Sequence, residues 1–308
     1  DNREPGLADI EDIRLPVTMI KTDIYDGAWT TSLIAIPEIR FSKNPPIGND
    51  FYTAFSSLSG QALLVEDDEP EDFADTSWAA SVTGIFSGWD ISFNAARTWR
   101  DQPYVAPAPY NGNPTSTLLQ STFKHSRITL LGAGGNLTHG AWLYKWEAAY
   151  IDGIDYTTAS PLTITLPTLG PTTVPFPTDT TETSRVDILA GVDYFGIADT
   201  TLSVEIANRH IRNFSDNMSP FYEYRDMMET AVRATRSLWH DRLNLTAVGT
   251  AFGERAQYGS LIRLEADYEW MDGLNMKAGV VTYQYGERPP FTHIEDNDRV
   301  FAEVKYSF

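Results

Sequence analysis

The feature that most constrains this chain is an alternation of apolar and polar residues that recurs along its whole length. In LIRLEADYEW (261–270) every second side chain is charged, and the residues between them are Ile, Leu, Ala, Tyr and Trp. A period of two indicates a β-strand, because successive side chains point to opposite faces of a sheet. The last segment, RVFAEVKYSF (299–308), alternates in the same way. The sequence therefore predicts an all-β protein.

Thirteen segments follow this pattern, with lengths that exceed the ~5–6 residues of an ordinary strand and suit the ~9–11 of a tilted membrane strand. They lie near 13–25, 28–41, 76–87, 89–99, 126–139, 141–153, 184–195, 200–212, 227–238, 241–252, 259–270, 273–285 and 298–308. Short, mostly Gly-bearing turns follow the odd segments, and long loops follow the even ones. This asymmetry predicts a transmembrane antiparallel up-and-down β-barrel with short periplasmic turns and long extracellular loops.

Composition agrees with a barrel that is apolar outside and polar inside. Aromatic residues make up 12% of the chain, yet no segment is apolar for long enough to form a transmembrane helix. The 42 Asp and Glu residues outnumber the 23 Lys and Arg residues, which argues against a nucleic-acid partner. Cysteine is absent, which excludes disulfides and thiolate ligands. We expect the bacterial outer membrane, with its lipid and lipopolysaccharide, as the surroundings.

Aromatic residues cluster beside the short turns, where the headgroup level of a membrane would lie. We predict that they form an aromatic girdle of Trp29, Trp89, Trp142, Trp239, Trp270, Tyr25 and Tyr194.

Charged residues on the polar phase are too numerous for a dry core but suit a hydrated lumen. The predicted lumen-lining set is Lys21, Asp23, Glu38, Arg40, Arg127, Lys145, Glu147, Arg185, Asp187, Glu205, Arg209, Arg233, Arg263, Glu265, Asp267, Glu269, Lys277, Glu303 and Lys305. Two roles stay open: cross-strand pairs that hold the inner wall together, and a wall that selects solutes. Arg97 and Arg236 fall on the apolar phase instead, near strand ends, where a long side chain can reach the headgroups.

The end of the chain resembles the carboxyl-terminal assembly signal of bacterial outer-membrane proteins. Phe308 is the last residue, and Val304 and Tyr306 precede it at alternate positions. The resemblance implies the barrel-assembly machinery as a partner. Because an open strand edge cannot persist in hydrocarbon, we predict that the last strand pairs with the first. Because bacterial single-chain barrels have even strand numbers, we expect about fourteen strands. Either residues 1–12 supply the additional strand or it precedes Asp1. We therefore expect residues 1–308 to form a single outer-membrane barrel domain, with or without the first strands of a longer protein.

A family resemblance covers most of the chain and is looser toward its end. IRLP (13–16), YDGAW (25–29) and PEIRFSKNPPIGNDF (37–51), with the later hairpins SVTGIFSGWDISF and LTHGAWLYKWEAAY, resemble the domain of unknown function 1302 family of proteobacterial outer-membrane proteins. The resemblance implies a porin-like barrel associated with export of hydrophobic or lipid-like molecules, and with it a periplasmic export partner. It implies no catalytic residues.

The sequence contains only weak signals of catalysis or metal binding. None of the five histidines stands at the spacing of a metal-binding motif, and no Gly-x-Ser-x-Gly motif is present. The acidic segment at 65–75 offers a weak calcium candidate in Glu66, Asp67, Asp68, Glu71 and Asp72. We expect no cofactor. The leading hypothesis is a passive channel or export conduit rather than an enzyme; the alternatives are a non-conducting interaction barrel and an outer-membrane esterase or phospholipase.

Overall fold

The computed structural model describes residues 15–41, 65–66, 75–107, 112, 122–166, 170–221, 224–287, 291 and 294–307. Within them the chain forms sixteen strands and one 3-10 helix, Asp216–Phe221. The strands are β1 (Ile20–Asp26), β2 (Trp29–Ile36), β3 (Val65–Glu66), β4 (Ser77–Phe86), β5 (Trp89–Trp99), β6 (Tyr104–Ala106), β7 (Thr122–Lys124), β8 (Arg127–His139), β9 (Trp142–Leu166), β10 (Gly170–Ile197), β11 (Thr200–Ile211), β12 (Asp226–Leu238), β13 (Leu243–Phe252), β14 (Ser260–Met271), β15 (Leu274–Gln284) and β16 (Arg299–Tyr306).

Thirteen of these strands form a single antiparallel sheet in which each strand pairs with its neighbours in sequence. The order is β1-β2-β4-β5-β8-β9-β10-β11-β12-β13-β14-β15-β16. Each strand matches one of the thirteen segments predicted from the alternation, so the up-and-down topology is confirmed. The predicted pairing of the last strand with the first is not seen: within the described residues, β1 and β16 form no ladder with each other.

Short turns and long connections segregate to opposite ends of the sheet, as predicted. Turns of two residues join β1 to β2, β4 to β5, β8 to β9, β10 to β11 and β14 to β15, and four residues join β12 to β13. Gly27 and Gly273 have positive φ angles of 58° and 80°. A side chain is strained in that conformation, so glycine at these turns allows the strands to reverse over two residues.

One predicted loop is wrong. Residues 154–183, read as a long connection, instead continue β9 and β10 as a hairpin in which Gly170 pairs with Leu166. Thr163 and Thr173 exchange a hydroxyl hydrogen bond of 3.0 Å across it. This part of the chain is rich in Thr and Pro, a composition that favours extended structure over a helix, and it forms the loop ends of β9 and β10. A small second sheet of β3, β6 and β7 lies beside the hairpin, where the Thr157 hydroxyl accepts a hydrogen bond of 2.8 Å from Val105 N–H.

The pairing register gives the large sheet two chemically different faces. Directly opposed residues share a face, so Val204, Val232 and Gly249 lie in one row, and Ser203, Arg233 and Val248 lie in the adjacent row on the other side. We call the first side the apolar face. Large side chains on it are exposed, including Leu33, Phe93, Trp146, Ile188, Val232, Leu264 and Val304. We call the other side the ionic face.

An exposed apolar face that extends over thirteen strands is stable against hydrocarbon rather than water. In lipid every backbone group needs an internal partner, and the continuous ladders provide one for the interior strands. No helix within the described residues is long and apolar enough to cross a membrane. The two faces and the continuous ladders make the chain an integral β-barrel protein of the outer membrane, apolar toward lipid.

Candidate functional site

The ionic face is the candidate functional site because it gathers nearly all of the predicted charged residues on one side of the sheet. Cross-strand rows run through it, for example Asp267, Lys277 and Glu303 on β14, β15 and β16. Three of the predicted residues are exceptions. Glu38 and Arg40 follow the end of β2, where Arg40 Nε donates a hydrogen bond of 2.6 Å to Glu38. Arg127 begins β8 directly opposite Trp99, in the phase of Arg97, so it lies on the apolar face and its predicted place on the ionic face is wrong. Its guanidinium donates to the carbonyl of Thr76 at 2.6 Å, beside the start of β4.

Lys145 is the centre of one ion network. Its ammonium lies 3.0 Å from an Asp193 carboxylate oxygen and also contacts Glu205. Gly191 stands between Lys145 and Glu205 in the same cross-strand row. Because Gly191 has no side chain, the lysine reaches across one strand to the glutamate of the next. The three charged groups therefore connect β9, β10 and β11.

A second set of pairs lies nearer the long connections. Arg185 Nη2 lies 2.7 Å from Asp187 Oδ2 along β10, and Arg209 contacts Glu229 on β12. Asp187 and Arg209 are direct register partners. Unlike charges thus follow one another from strand to strand, which favours this register over one shifted by a residue.

A third network lies on β14 and β15. Arg263 Nη2 approaches Glu265 Oε2 at 2.5 Å, and Lys277 lies 3.7 Å from the other oxygen of that carboxylate. The Arg263 guanidinium also covers the ring of Phe301, 4.9 Å from its centre. Phe301 is an aromatic residue on the ionic face, and it is accommodated there because the Arg263 guanidinium packs over its ring.

Asp193, Glu229 and Asp90 belong to the ionic face but were not in the predicted site set. Asp193 and Glu229 pair with Lys145 and Arg209, and Asp90 accepts hydrogen bonds of 3.1 and 3.0 Å from the Asn136 amide. All three residues follow the same alternation, so the sequence pattern was sufficient to assign them to the ionic face.

The ionic face ends in an apolar cluster beside the long connections, which was not predicted from the sequence. Met218 of the 3-10 helix is completely buried, and Phe214 packs against the same group. The buried residues of this loop-end cluster are Ile128, Ile151, Ile154, Tyr156, Ile211 and Met218. The signal available was the presence of isoleucine on the polar phase of β8, β9 and β11 near their loop ends.

The predicted girdle residues lie at the short-turn end, and most project from the apolar face. Tyr25 differs, because it shares the phase of Asp23 and pairs with Thr30 on the ionic face. Ring contacts are Trp29 with Phe86 (5.5 Å), Phe86 with Trp89 (4.2 Å), Trp142 with Tyr194 (4.4 Å), and Tyr268 with both Trp239 (5.8 Å) and Trp270 (6.0 Å). Of the assembly-signal residues, Val304 and Tyr306 are exposed on the apolar face, and Phe308 lies outside the described residues.

Arg97 and Arg236 both lie on the apolar face, as the alternation predicted. Arg97 pairs with Trp78 near the loop end of β5 and donates a hydrogen bond of 2.9 Å to the Thr129 hydroxyl. Arg236 pairs with Leu245 two residues before the short turn that follows β12. Each guanidinium is close enough to a strand end to reach a headgroup layer.

Serine and histidine side chains near the long connections, which a hydrolase would use as nucleophile and base, have other partners. The Ser126 hydroxyl donates to Asp155 Oδ2 at 3.0 Å and accepts from Asp155 N–H at 2.9 Å. His125 Nδ1 lies 2.8 Å from the Arg100 carbonyl, and His210 Nδ1 lies 2.8 Å from Asp226. Ser126 is therefore a buried link between the segment before β8 and strand β9.

The calcium candidate lies almost entirely outside the described residues, which include only Glu66 of its five members. In the part of the chain that is described, no group of three or more His, Asp or Glu side chains is placed to hold a metal ion.

Comparison with solved structures returns outer-membrane proteins of very low identity. They include the siderophore receptor PirA of Pseudomonas aeruginosa (TM-score 0.48, 10% identity, 94% of this chain and 47% of that chain). The toluene transporter TodX of Pseudomonas putida gives a TM-score of 0.34 at 8% identity over 85% of this chain and 76% of that one. The outer-membrane protein OmpT of Vibrio cholerae gives 0.36 at 10% identity over 94% and 96%. The chain thus spans about half the length of the siderophore receptor, and similarity at this level does not indicate a shared activity.

No curated protein matches the chain. A family model described as protein of unknown function (DUF1302) matches residues 1–308.

Proposed function

Because the chain belongs to the DUF1302 family, whose description assigns no activity, we propose from its geometry that it is a porin-like passive channel or export conduit of the outer membrane. The observation that carries the proposal is the ionic face, which continues across the strands from Lys21 on β1 to Lys305 on β16. Charges at this density need water or partners, and the opposite face is apolar and exposed. A sheet with these two faces supports an enclosed aqueous path lined by both signs of charge.

The ion pairs support a channel wall whose charged side chains keep fixed positions while solutes pass. Lys145, Arg185 and Arg263 each have a carboxylate partner within 3.0 Å. Paired side chains present alternating positive and negative groups at fixed positions, as expected for a path that admits small polar solutes with weak ion selectivity.

A second candidate, a non-conducting barrel that presents its loops to a partner, is favoured by the loop-end cluster. Met218 brings the connection between β11 and β12 onto Ile151 and Ile211, at one end of the ionic face. The long β9–β10 hairpin extends the sheet beyond its neighbouring strands and offers a surface for a partner.

Single-channel recording separates the two candidates. The full chain, purified from outer membranes, is added to a planar lipid bilayer, and a heat-denatured sample serves as the control. We expect stepwise increases in current that are absent from the control. Stable insertion without current, shown by resistance to extraction from the bilayer, would refute the channel and favour the interaction barrel.

A further inference from the structure

A cavity of about 470 Å³ opens on the ionic face across β9 to β13. Its polar lining combines the Lys145 network with residues that the network does not use. The polar lining residues are Lys145, Asp193, Thr201, Ser203, Glu205, Arg233 and Thr235. The volume lies within the ~300–1,000 Å³ range of sites for small molecules.

Small residues between the charged ones leave this space. Ser203 and Ala231 line the cavity, and Ser203 is the direct register partner of Arg233. Beside it, Gly191 makes room for the contact of Lys145 with Glu205, because a Cβ atom there would lie 2.9 Å from Glu205 Cγ and 3.2 Å from Lys145 Cε. The cavity is therefore a consequence of the sequence of these strands, with short side chains on the ionic face between long charged ones.

The charges of the cavity are separated into two parts. Asp193 and Glu205 share the single ammonium of Lys145, so that side of the cavity carries a formal charge of −1. Arg233 is exposed in the cavity and makes no ion pair with any residue in the described part of the chain. A net negative group thus faces a free guanidinium, and the formal charges of the four side chains sum to zero.

We propose that this cavity binds a small zwitterion that carries one carboxylate and one ammonium group. Arg233 holds the carboxylate, because a planar guanidinium forms paired hydrogen bonds with a carboxylate. The ammonium lies toward Glu205, whose side chain is 38% exposed and retains acceptor capacity beyond its lysine partner. Hydroxyl groups of Thr201 and Ser203 supply further hydrogen bonds between the two ends.

The same charges disfavour the simpler ligands. A ligand with a carboxylate but no ammonium can bind Arg233 but is repelled by the net negative side of the cavity. A ligand with an ammonium but no carboxylate forms no hydrogen bonds with Arg233. The proposal deepens the proposed function, on which it rests, because the bound molecule belongs to the class of solutes that passes along the ionic face.

Saturation-transfer difference NMR on the full chain in detergent micelles tests the proposal with three matched probes. L-Alanine carries both charges, propionate lacks its ammonium, and ethylammonium lacks its carboxylate. We expect saturable binding of L-alanine, with each of the other probes at least about tenfold weaker. Equal binding of propionate and L-alanine, or no saturable binding of L-alanine, would overturn the proposal.

Variants locate the binding. Arg233→Gln is expected to weaken L-alanine binding about tenfold and to remove its advantage over ethylammonium, whereas Arg233→Lys retains part of both. Arg236→Gln is the matched control, because it lies on the same strand but on the apolar face, and L-alanine binding should not change. Unchanged binding in a folded Arg233→Gln protein, with folding verified by its heat-dependent gel mobility, would overturn the assignment.

Single-channel recording on the same preparation distinguishes the two proposals. Binding of L-alanine without conductance would refute the channel but leave the cavity assignment intact. Conductance without binding would refute the cavity assignment alone.

Discussion

The ring of Phe301 lies over Gly279, its directly opposed partner on the neighbouring strand of the ionic face. A Cβ atom on Gly279 would lie 2.4 Å from Phe301 Cζ and 2.6 Å from the Leu264 carbonyl oxygen. The Arg263 guanidinium covers the same ring. Because Gly279 has no side chain, the large Phe301 ring can lie against the ionic face.

Gly279→Ala is expected to lower the free energy of unfolding by about 1–3 kcal/mol, because the added methyl group displaces the ring or the backbone. Urea unfolding in detergent micelles measures the change. Gly249→Ala is the matched control, since a Cβ atom there has no neighbour within 4 Å among the described atoms. Equal unfolding midpoints for the two variants would contradict this packing.

Lys145→Met is expected to destabilise the sheet by about 1–2 kcal/mol, because it leaves the carboxylates of Asp193 and Glu205 facing one another without a cation. The loss should be greater at low salt, where repulsion is less screened. Addition of Asp193→Asn should restore part of the stability. If the double variant is as unstable as the sum of the two single variants, the three groups do not act as a network.

Charge insertion tests the assignment of the two faces. Val232→Arg places a charge on the apolar face in the middle of β12 and should cost about 2–4 kcal/mol of folding free energy in lipid vesicles. Thr246→Arg places the same side chain on the ionic face opposite Glu265 and should cost less than about 1 kcal/mol. Similar costs at the two positions would mean that the faces are assigned incorrectly.

Met218→Asp is expected to release the connection between β11 and β12, because a carboxylate at a fully buried apolar position cannot remain there ionised. Limited proteolysis should cut residues 212–225 faster while the strands stay resistant. Conductance should also rise if this connection narrows the path. Unchanged proteolysis would show that Met218 does not hold the connection in place.

Glu38 lies outside the membrane strands, and its pKa is lowered from the ordinary 4.5 to about 2 by hydrogen bonds from the Thr18 side chain and N–H and from Arg40. Because the folded pKa is depressed, this link between the segments before β1 and after β2 is complete above pH 4.5. It is lost as the pH falls toward 2. NMR titration of the Glu38 carboxyl carbon should give a midpoint near the lowered value, with the Thr18 amide shift following it; a midpoint near 4.5 would contradict the link.

The alternation in the sequence was sufficient to predict the thirteen strands of the large sheet and the face of most of their residues, with Tyr25 and Arg127 as exceptions. Strand position follows from period two, and the phase of Val232 or Arg233 follows from its place in that period, whatever the neighbouring strands do. The same property placed Arg97 and Arg236 on the apolar face. Strand position and phase depend only on residues near one another in the chain, so the amino-acid sequence alone contains them.

Relations across strands required the tertiary structure. The contact of Lys145 with Glu205 depends on which residues stand opposite one another and on the gap at Gly191, and neither is a property of one strand. The loop-end cluster joins Met218 to Ile128, which lie 90 residues apart in the sequence. The sequence by itself determined that the chain forms long strands with one apolar and one ionic side, because that depends only on spacing. The register, the ion networks and the cavity at Arg233 were decided by the tertiary structure, because they depend on how separate strands align.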